Sequence, residues 1–365
     1  MDSALQHITD RVRAAAASGT PLRIRGGGSK DFYGQTLQGE VLDTAPLAGI
    51  TSYEPTELVV TARAGTPLAE LEAVLAERGQ YLPFEPPHFG PGTTVGGMVA
   101  AGLSGPARAS VGAVRDYVLG VTLLNGKGEL LTFGGQVMKN VAGYDVSRLM
   151  VGAMGTLGLL TELSLKVLPL APAEATLKFE MSQAQALAQL NRWGGLPLPL
   201  NASCWVMDAG VPALYLRLRG AVAAVDAACQ SLGGERQDNA AAAPDWTLCR
   251  DQQLPWFLER GERDLWRLSV PQTAPVLDLP EPPFVEWHGG LRWVRAAPEE
   301  ALRLREVAAG GGGHATLFRA GSARPLGVEG RFDALKPPLD RIHRELKRQF
   351  DPAGIFNRGR LYPDF

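Results

Sequence analysis

The stretch RGGGSKDFYG, residues 25–34, follows a short apolar strand candidate at residues 21–24. Three consecutive glycines let the backbone reach φ > 0 and turn several N–H groups toward one point. Such a nest suits a diphosphate or a similar anion. A triple glycine is also common in ordinary turns, so this segment needs support from elsewhere in the chain before it indicates a binding site.

Neither of the two common phosphate-binding motifs occurs in the chain. The sequence contains no Gly-x-Gly-x-x-Gly, which disfavours a Rossmann dinucleotide domain. It also contains no Gly-x-x-x-x-Gly-Lys-Ser/Thr, the P-loop pattern. A phosphate site in this chain must therefore use another glycine arrangement.

The composition is that of an ordinary globular protein. The 365 residues are 45% hydrophobic and 20% charged, enough for two or three domains, and the net charge of −2 gives no reason to expect nucleic acid or an anionic membrane. No basic start precedes an apolar run, and the longest apolar run, residues 149–160, is shorter than the ~20 residues of a membrane span. We therefore expect a cytoplasmic chain, with peripheral membrane association through a partner left open.

The cysteines disfavour metal clusters. Cys204, Cys229 and Cys249 are odd in number and widely spaced, which argues against a disulfide framework, a zinc site and an iron–sulfur cluster. We predict buried free thiols and no metal.

Apolar periodicity and turn residues predict an α+β first half. Residues 3–18 have helical spacing, residues 59–64 form a strand, residues 68–78 form a helix, and residues 80–84 form a second strand. Asn125-Gly126 between two β-rich runs is a strong hairpin signal. Residues 139–149 look helical and residues 157–168 form a strand, after which Pro169 and Pro172 mark a domain boundary.

The second half alternates strands with helices rich in alanine and leucine. Its helices are predicted at residues 183–192, 221–231 and 298–308, and the repeats Ala240–Ala243 and Gly310–Gly313 are predicted to be loops. A basic amphipathic helix is predicted at residues 335–350. The pattern favours a separate antiparallel α+β domain over residues 173–330.

Three glycine-rich segments lie at residues 25–34, 90–105 and 143–158. Paired glycines in the second segment permit close approach of a ring or phosphate, and its threonines supply hydroxyl groups. A long cofactor with a diphosphate in its middle needs several such surfaces. The residues by themselves therefore make a large nucleotide cofactor plausible and go no further.

Residues 25–34, 94–105 and the block KNVAGYDVSRLMVGAMGTLG at 139–158 resemble the flavin-binding half of the vanillyl-alcohol-oxidase (PCMH-type) FAD oxidoreductases. The segment DPAGIFNRG at 351–359 resembles the C-terminal return segment of that family. Within it, the length and the VAGYD block are similar to glycolate oxidase FAD-binding (E) subunits. The resemblance implies an α+β fold: a PCMH-type two-subdomain FAD-binding domain at residues 1–172, an antiparallel α+β cap at 173–330, and a C-terminal segment, 331–365, that returns to the first domain.

The resemblance also implies which residues contact FAD. Many relatives that attach flavin covalently have a histidine after the third glycine, where this chain has Ser29, so noncovalent FAD is expected. Asp145 is the one position for which we weigh an alternative, since it could anchor a turn or a helix start instead. The expected FAD-binding residues are Gly26, Gly27, Gly28, Ser29, Lys30, Gly34, Pro91, Gly92, Thr94, Val95, Gly96, Gly97, Gly105, Asn140, Gly143, Asp145, Thr156, Leu157, Gly158 and Asn357.

The catalytic candidates are fewer. His314 could remove the hydroxyl proton of a 2-hydroxy acid, and Arg292 or Arg319 could clamp its carboxylate, although a strand residue or a surface ion pair is the ordinary role of each. Glu286 and His288 could form a polar pocket wall but are too few to bind a metal. The His-x-Gly-Asp-Gly-Asn-x-His segment of several catalytic relatives has no counterpart here beyond His314.

The implied function is the FAD-binding subunit of a glycolate oxidase (glycolate dehydrogenase) complex that oxidises glycolate to glyoxylate. Its expected partners are a second FAD-containing catalytic subunit, an iron–sulfur subunit that receives the electrons, and a small 2-hydroxy acid substrate. Two alternatives stay open: a non-catalytic FAD-binding assembly or electron-relay subunit, and a stand-alone FAD dehydrogenase of another small 2-hydroxy acid.

Overall fold

The computed structural model describes residues 2–135, 145–322 and 330–363. The chain forms two compact units. The first comprises Met1–Leu103, Ala113–Pro169 and Ala334–Phe365, and the second comprises Ser104–Gly112 and Leu170–Asp333. The segment Ser104–Gly112 is the one part of the sequence before Leu170 that belongs to the second unit.

The described residues contain helices and strands throughout, numbered here in chain order. The helices are α1 Ser3–Ser18, α2 Leu68–Ala76, α3 Val95–Ala101, α4 Arg108–Val111, α5 Val146–Leu149, α6 Gln183–Gly194, α7 Val222–Leu232, α8 Asn239–Arg250, α9 Pro255–Leu258, α10 Ala301–Gly310 and α11 Leu339–Phe350. Short 3₁₀ turns lie at Val114–Asp116, Trp287–Gly289 and Pro298–Glu300.

The strands are β1 Leu22–Arg25, β2 Glu40–Asp43, β3 Ile50–Glu54, β4 Val59–Arg63, β5 Gln80–Tyr81, β6 Val118–Leu124, β7 Leu130–Gly134, β8 Leu159–Lys166, β9 Leu168–Pro169, β10 Ala173–Glu180, β11 Leu200–Asp208, β12 Val211–Gly220, β13 Glu235–Arg236, β14 Asp264–Ser269, β15 Phe284–Glu286, β16 Leu291–Ala296 and β17 His314–Arg319.

The first unit is built on a five-stranded antiparallel sheet of order β3-β4-β8-β6-β7, with β1 and β2 forming a separate parallel pair. Buried leucines of α2 and the buried face of α3 pack on this sheet in one core. A second core joins α1 to β1 through Val12, Leu22 and Phe356. The predicted hairpin is confirmed as β6–β7, and Asn125 Oδ1 accepts hydrogen bonds from the N–H groups of Lys127 and Glu129 in its turn.

The C-terminal segment is fixed to the first unit by a buried ion pair. Lys347 Nζ lies 2.7 Å from Asp351 Oδ2 and also donates to the carbonyl oxygens of Thr156 and Phe356, each at 2.8 Å. Asp351 accepts the backbone N–H groups of Ile355 and Phe356. Burial lowers the pKa of Lys347, and the adjacent carboxylate opposes that shift. The pair therefore ties α11 to the third glycine-rich segment.

The second unit is an eight-stranded antiparallel sheet of order β13-β10-β12-β11-β15-β16-β14-β17. Alternation along the strands gives the sheet two distinct faces. Trp266, Leu268, Val294 and Leu317 point to one face, which is covered by α10. We call this the helix-covered face and the other the opposite face, on part of which α8 packs through the hydrogen bond from the Trp246 indole to Thr176.

Three local predictions were wrong. Residues 240–243 lie inside α8, because alanine is the strongest helix former and Asp238 caps the helix by accepting the N–H of Ala241. The strand predicted at 80–84 is limited to Gln80–Tyr81. The final helix begins at Leu339 and not at residue 335, since it follows Pro337 and Pro338. None of the described helices has both the length and the apolar character needed to span a membrane.

Candidate functional site

An open cleft in the first unit brings parts of all three glycine-rich segments together. The first segment supplies most of one wall, α3 supplies another, and the turn before β8 and the C-terminal segment complete it. The lining residues are Ile24, Arg25, Gly26, Gly27, Gly28, Ser29, Lys30, Asp31, Leu37, Thr44, Ala64, Thr94, Gly96, Gly97, Ala100, Ala101, Met154, Gly155, Gly158, Leu160, Asn357 and Arg360.

Glycines are required where backbones of different segments touch. A Cβ built on Gly27 would overlap the carbonyl group of Gly92 and lie 2.8 Å from Gly92 Cα. A Cβ on Gly96 would lie 2.6 Å from Ala64 Cβ, because the Gly96 N–H donates to the Ala64 carbonyl oxygen at 2.7 Å. These close approaches place the first segment against the second and α3 against β4.

The backbone N–H groups of Gly26, Gly27 and Gly28 line this cleft without a protein acceptor. Among the described residues, none of the three donates a hydrogen bond to backbone or side chain. Gly27 is exposed and Gly26 and Gly28 are half-buried, so their N–H groups are open to an external acceptor, either water or a bound ligand. Phosphate oxygens are such acceptors, and the row fits the diphosphate of a dinucleotide.

The charges at the cleft suit an anionic ligand. Arg25, Lys30 and Arg360 face one acidic lining residue, Asp31, which is paired with Arg25 at 2.9 Å. Ser29 Oγ and Thr93 Oγ1 share a hydrogen bond of 2.8 Å, which connects the first glycine-rich segment to the second.

Two residues of the C-terminal segment hold the walls of the cleft in position. Asn357 Oδ1 accepts the N–H of Ile24 at 2.8 Å, and its Nδ2 donates to the carbonyl oxygen of Met154 at 2.6 Å. Arg360 donates to the carbonyl oxygens of Lys30 and Asp31 at 3.2 and 3.1 Å. Sequence reasoning did not single out Arg360, whose only signal is its place beside Asn357 in the return segment.

Ten of the predicted cofactor residues line the cleft: Gly26, Gly27, Gly28, Ser29, Lys30, Thr94, Gly96, Gly97, Gly158 and Asn357. Six other predicted cofactor residues do not line the cleft. Val95 and Leu157 are buried in the core, and Thr156 Oγ1 donates to the carbonyl oxygen of Ala153. Gly92 packs with its backbone against Gly27, and Gly34 lies against Met154 and Arg360. Pro91 is exposed.

The four remaining candidates have different outcomes. Asp145 accepts the N–H of Arg148 at 3.1 Å and so caps α5, which is the alternative role considered for it. Gly105 belongs to the second unit, where its carbonyl oxygen accepts the indole N–H of Trp287 at 3.0 Å. Asn140 and Gly143 lie outside the described residues.

The catalytic candidates of the second unit do not share one face of its sheet. Arg292 pairs with Leu268 across β16 and β14, so it points to the helix-covered face, where it is fully buried and donates to the carbonyl oxygens of Gly289 and Ala274. His314 alternates with the core residue Ala315 and points to the opposite face. Arg292 and His314 therefore cannot act on one substrate, and Arg292 has the role of a core residue.

Arg319 ends β17 and donates from Nε to Gln252 Oε1 at 3.3 Å. Burial, followed by the nearby charge of Arg260, lowers the pKa of Arg319 to about 10.

Glu286 is buried and accepts the indole N–H of Trp293 at 2.6 Å. Within the described residues, no group of three or more His, Cys, Asp or Glu side chains could hold a metal ion.

His288 is held between two serine hydroxyls. Its Nδ1 lies 3.0 Å from Ser203 Oγ and its Nε2 lies 2.9 Å from Ser110 Oγ. Burial lowers the pKa of His288 from 6.5 to about 4. The imidazole is therefore neutral at pH 7 and has a structural position between β11 and α4.

This burial predicts a pH-dependent loss of stability. Because the folded-state pKa is depressed, the contribution of His288 is complete above pH 6.5 and is lost as the pH falls toward 4. Between pH 7 and pH 4, the free energy of unfolding of the wild type should fall by about 2–3 kcal/mol more than that of His288→Asn. Asparagine suits the positive φ of this residue, and urea unfolding across this pH range measures the difference. Parallel curves for the two proteins would contradict the assignment.

Comparison with known proteins also indicates a domain that binds a dinucleotide cofactor. The profile of a family described as FAD binding domain matches residues 4–134. The chain is 46% identical to glycolate oxidase subunit GlcE of Escherichia coli (strain K12) over 359 residues, which covers 98% of this chain and 97% of that protein. The chain belongs to the GlcE family. The predicted resemblance and the PCMH-type FAD-binding fold are thereby confirmed, and FAD is the cofactor of the family's binding domain.

More distant relatives of this GlcE-family chain match less of it. Glycolate oxidase subunit GlcD of Bacillus subtilis (strain 168) is 30% identical over 46% of this chain and 36% of its own length. The mitochondrial D-lactate dehydrogenase [cytochrome] of Arabidopsis thaliana is 31% identical over 39% of this chain and 25% of its own length. Each of these matches covers less than half of this chain.

A solved structure supports the fold alone. An alkyldihydroxyacetonephosphate synthase superposes with a TM-score of 0.66 at 15% sequence identity, covering 96% of this chain and 75% of that one. The likeness extends over both units of the chain and says nothing about substrate.

Proposed function

We propose that the chain is the FAD-binding subunit of a glycolate oxidase complex and takes part in the oxidation of glycolate to glyoxylate. The observation that carries the proposal is the row of unpaired backbone N–H groups at Gly26–Gly28 in a GlcE-family chain. A diphosphate held there would give each of these donors an acceptor.

The residues of the first unit suit noncovalent FAD. Gly26, Gly27, Gly28, Ser29 and Lys30 would bind the diphosphate, with Gly96 and Gly97 beside it. Gly158 and Asn357 would contact the parts of the cofactor on either side. Ser29 offers a hydroxyl and no ring nitrogen, so the position has no group suited to a covalent flavin bond. When bound, the flavin supplies the acceptor for the hydride that leaves the hydroxyl-bearing carbon.

The electrons that the flavin receives would have to pass to other proteins. Cys204 and Cys249 are neighbouring buried thiols. Among the described residues, no group of three or more Cys, His, Asp or Glu side chains could hold a metal, so an iron–sulfur cluster would reside on another subunit. We propose a second FAD-containing catalytic subunit and an iron–sulfur subunit as the partners. The complex would work in the cytoplasm, attached to the membrane only through its other members.

His314 is the proton acceptor that we propose for the substrate hydroxyl. It is exposed at the start of the edge strand β17, while partial desolvation of the ring, followed by the charge of Arg267, lowers its pKa below 6.5. The imidazole is therefore neutral at pH 7 and can accept a proton.

Replacing this group gives a direct prediction. His314→Gln should lower kcat for glycolate about 100-fold, the low end of the range for general-base catalysis, with FAD content unchanged. The matched control is His343→Gln, which removes an imidazole from α11 in the first unit. Steady-state kinetics of the assembled complex measures both, and equal effects of the two substitutions would remove His314 from the mechanism.

The purified chain separates the proposal from its alternatives. A yellow protein whose absorbance at 450 nm bleaches with glycolate alone is an enzyme in its own right. A yellow protein that bleaches only after its partners are added acts as a relay or assembly subunit, a role that agrees with the lack of a metal-binding cluster among the described residues. Bleaching by another 2-hydroxy acid in place of glycolate would indicate a different dehydrogenase, and a colourless chain that does not take up FAD would overturn all three.

A further inference from the structure

The opposite face of the second unit carries an arginine that has no acidic partner among the described residues. Arg267 lies in the middle of β14, half-buried, directly across from Thr316 on β17. No hydrogen bond or ion pair joins its guanidinium group to any described residue. An accessible guanidinium without a counter-charge is available to bind an external anion.

The guanidinium of Arg267 is nonetheless held in place. Its Cζ lies 5.0 Å from the centroid of the buried Trp287 ring. Arg108 Cζ lies 4.4 Å from the same centroid. Stacking on an indole restricts the orientation of a guanidinium while its N–H edge stays free to donate, which prepares it for bidentate binding of a carboxylate.

His314 is the neighbour of Arg267 on this face. Since His314 is two residues before Thr316, it occupies the diagonal position to Arg267, about 7–8 Å away across the strand pair and within reach of a long side chain. The charge of Arg267 acts on the imidazole of His314. The acidic group that also acts on His314, Asp333, already accepts from Arg305 and from the N–H of Ala315, so it does not neutralise Arg267.

We propose that Arg267, stacked on Trp287 and beside His314, binds the carboxylate of the 2-hydroxy acid. This inference rests on the proposed function and replaces the role predicted for Arg292, whose side chain lies in the core on the other side of the sheet. A carboxylate on Arg267 would leave the adjacent hydroxyl-bearing carbon near the imidazole that accepts the hydroxyl proton.

The test uses the assembled, FAD-loaded complex with wild type, Arg267→Gln, Arg267→Lys and Arg303→Gln. Arg303→Gln is the matched control, since it removes one positive charge from an exposed arginine of α10 in the same unit. We measure kcat and KM for glycolate, and Ki for oxalate, a dicarboxylate without an oxidisable hydroxyl. FAD content and thermal unfolding show whether each variant folds.

Loss of a charge-assisted bidentate contact should raise KM and Ki by about 10- to 100-fold in Arg267→Gln, with kcat within threefold of wild type. Arg267→Lys should recover part of the loss, and Arg303→Gln should match wild type. A variant that loses stability while its KM stays within threefold would overturn the proposal and leave Arg267 a packing residue. A wild-type complex that ignores glycolate but binds oxalate through Arg267 would refute the proposed substrate and retain the anion site; binding of neither would refute both.

Discussion

Gly27→Ala is expected to weaken FAD binding by at least about 100-fold, or ~2.7 kcal/mol. The added Cβ would overlap the carbonyl group of Gly92, which belongs to backbone and cannot rotate away. The first glycine-rich segment would have to move off the second, which would displace the residues that line this wall of the cleft. Fluorescence titration of the apoprotein with FAD measures the loss.

Gly194→Ala is the control for this experiment. Gly194 ends α6 in the second unit, and a Cβ built there meets no atom within 4 Å. Its FAD affinity should equal that of the wild type. If Gly27→Ala bound FAD with wild-type affinity while remaining folded, the contact between the first and second segments would have no part in cofactor binding.

Lys347→Met is expected to reduce the free energy of unfolding by about 3–5 kcal/mol, the range for removing one partner of a buried ion pair. Lys347 and Asp351 are both buried, and the variant leaves the carboxylate without its counter-charge. The carbonyl oxygens of Thr156 and Phe356 also lose their common donor. Chemical denaturation of the FAD-free chain measures the change in the first unit.

Arg348→Met is the neighbouring control. Arg348 pairs with Glu345 on the exposed side of α11 at 2.6 Å, and surface pairs of this kind contribute about 0–1 kcal/mol. The double variant Lys347→Met/Asp351→Asn should be more stable than Lys347→Met alone, because it removes the stranded charge and keeps a side-chain oxygen that can accept from the N–H groups of Ile355 and Phe356. Equal stabilities of Lys347→Met and Arg348→Met would show that the buried pair does not anchor the C-terminal segment.

Local chemistry accounts for the features that could be predicted from sequence. Asn125-Gly126 specifies the β6–β7 hairpin through a side chain that bonds its own turn. The glycines at 26–28 indicated a tight turn, and Gly28 does have a left-handed φ of +73°. In the hairpin the deciding interactions lie within a few residues of the signal, whereas Gly27 is required by a contact with Gly92 in the second glycine-rich segment.

Long-range contacts account for the rest. Asn357 reaches Ile24, 333 residues away, and no local pattern specifies that pairing. The face on which Arg292 lies depends on the register of β14 and β16, and an arginine in a strand gives no sign of being buried in a core. For the same reason the sequence does not single out Arg267. The role proposed for it depends on its position beside Trp287 and His314, which lie on another turn and another strand.

The most direct test is the structure of the FAD-reconstituted protein, in which the distances from the diphosphate oxygens to the backbone nitrogens of Gly26, Gly27 and Gly28 are measured. We predict hydrogen bonds of about 2.7–3.2 Å to this row. A diphosphate bound elsewhere in the chain, with these N–H groups turned to solvent, would contradict the account.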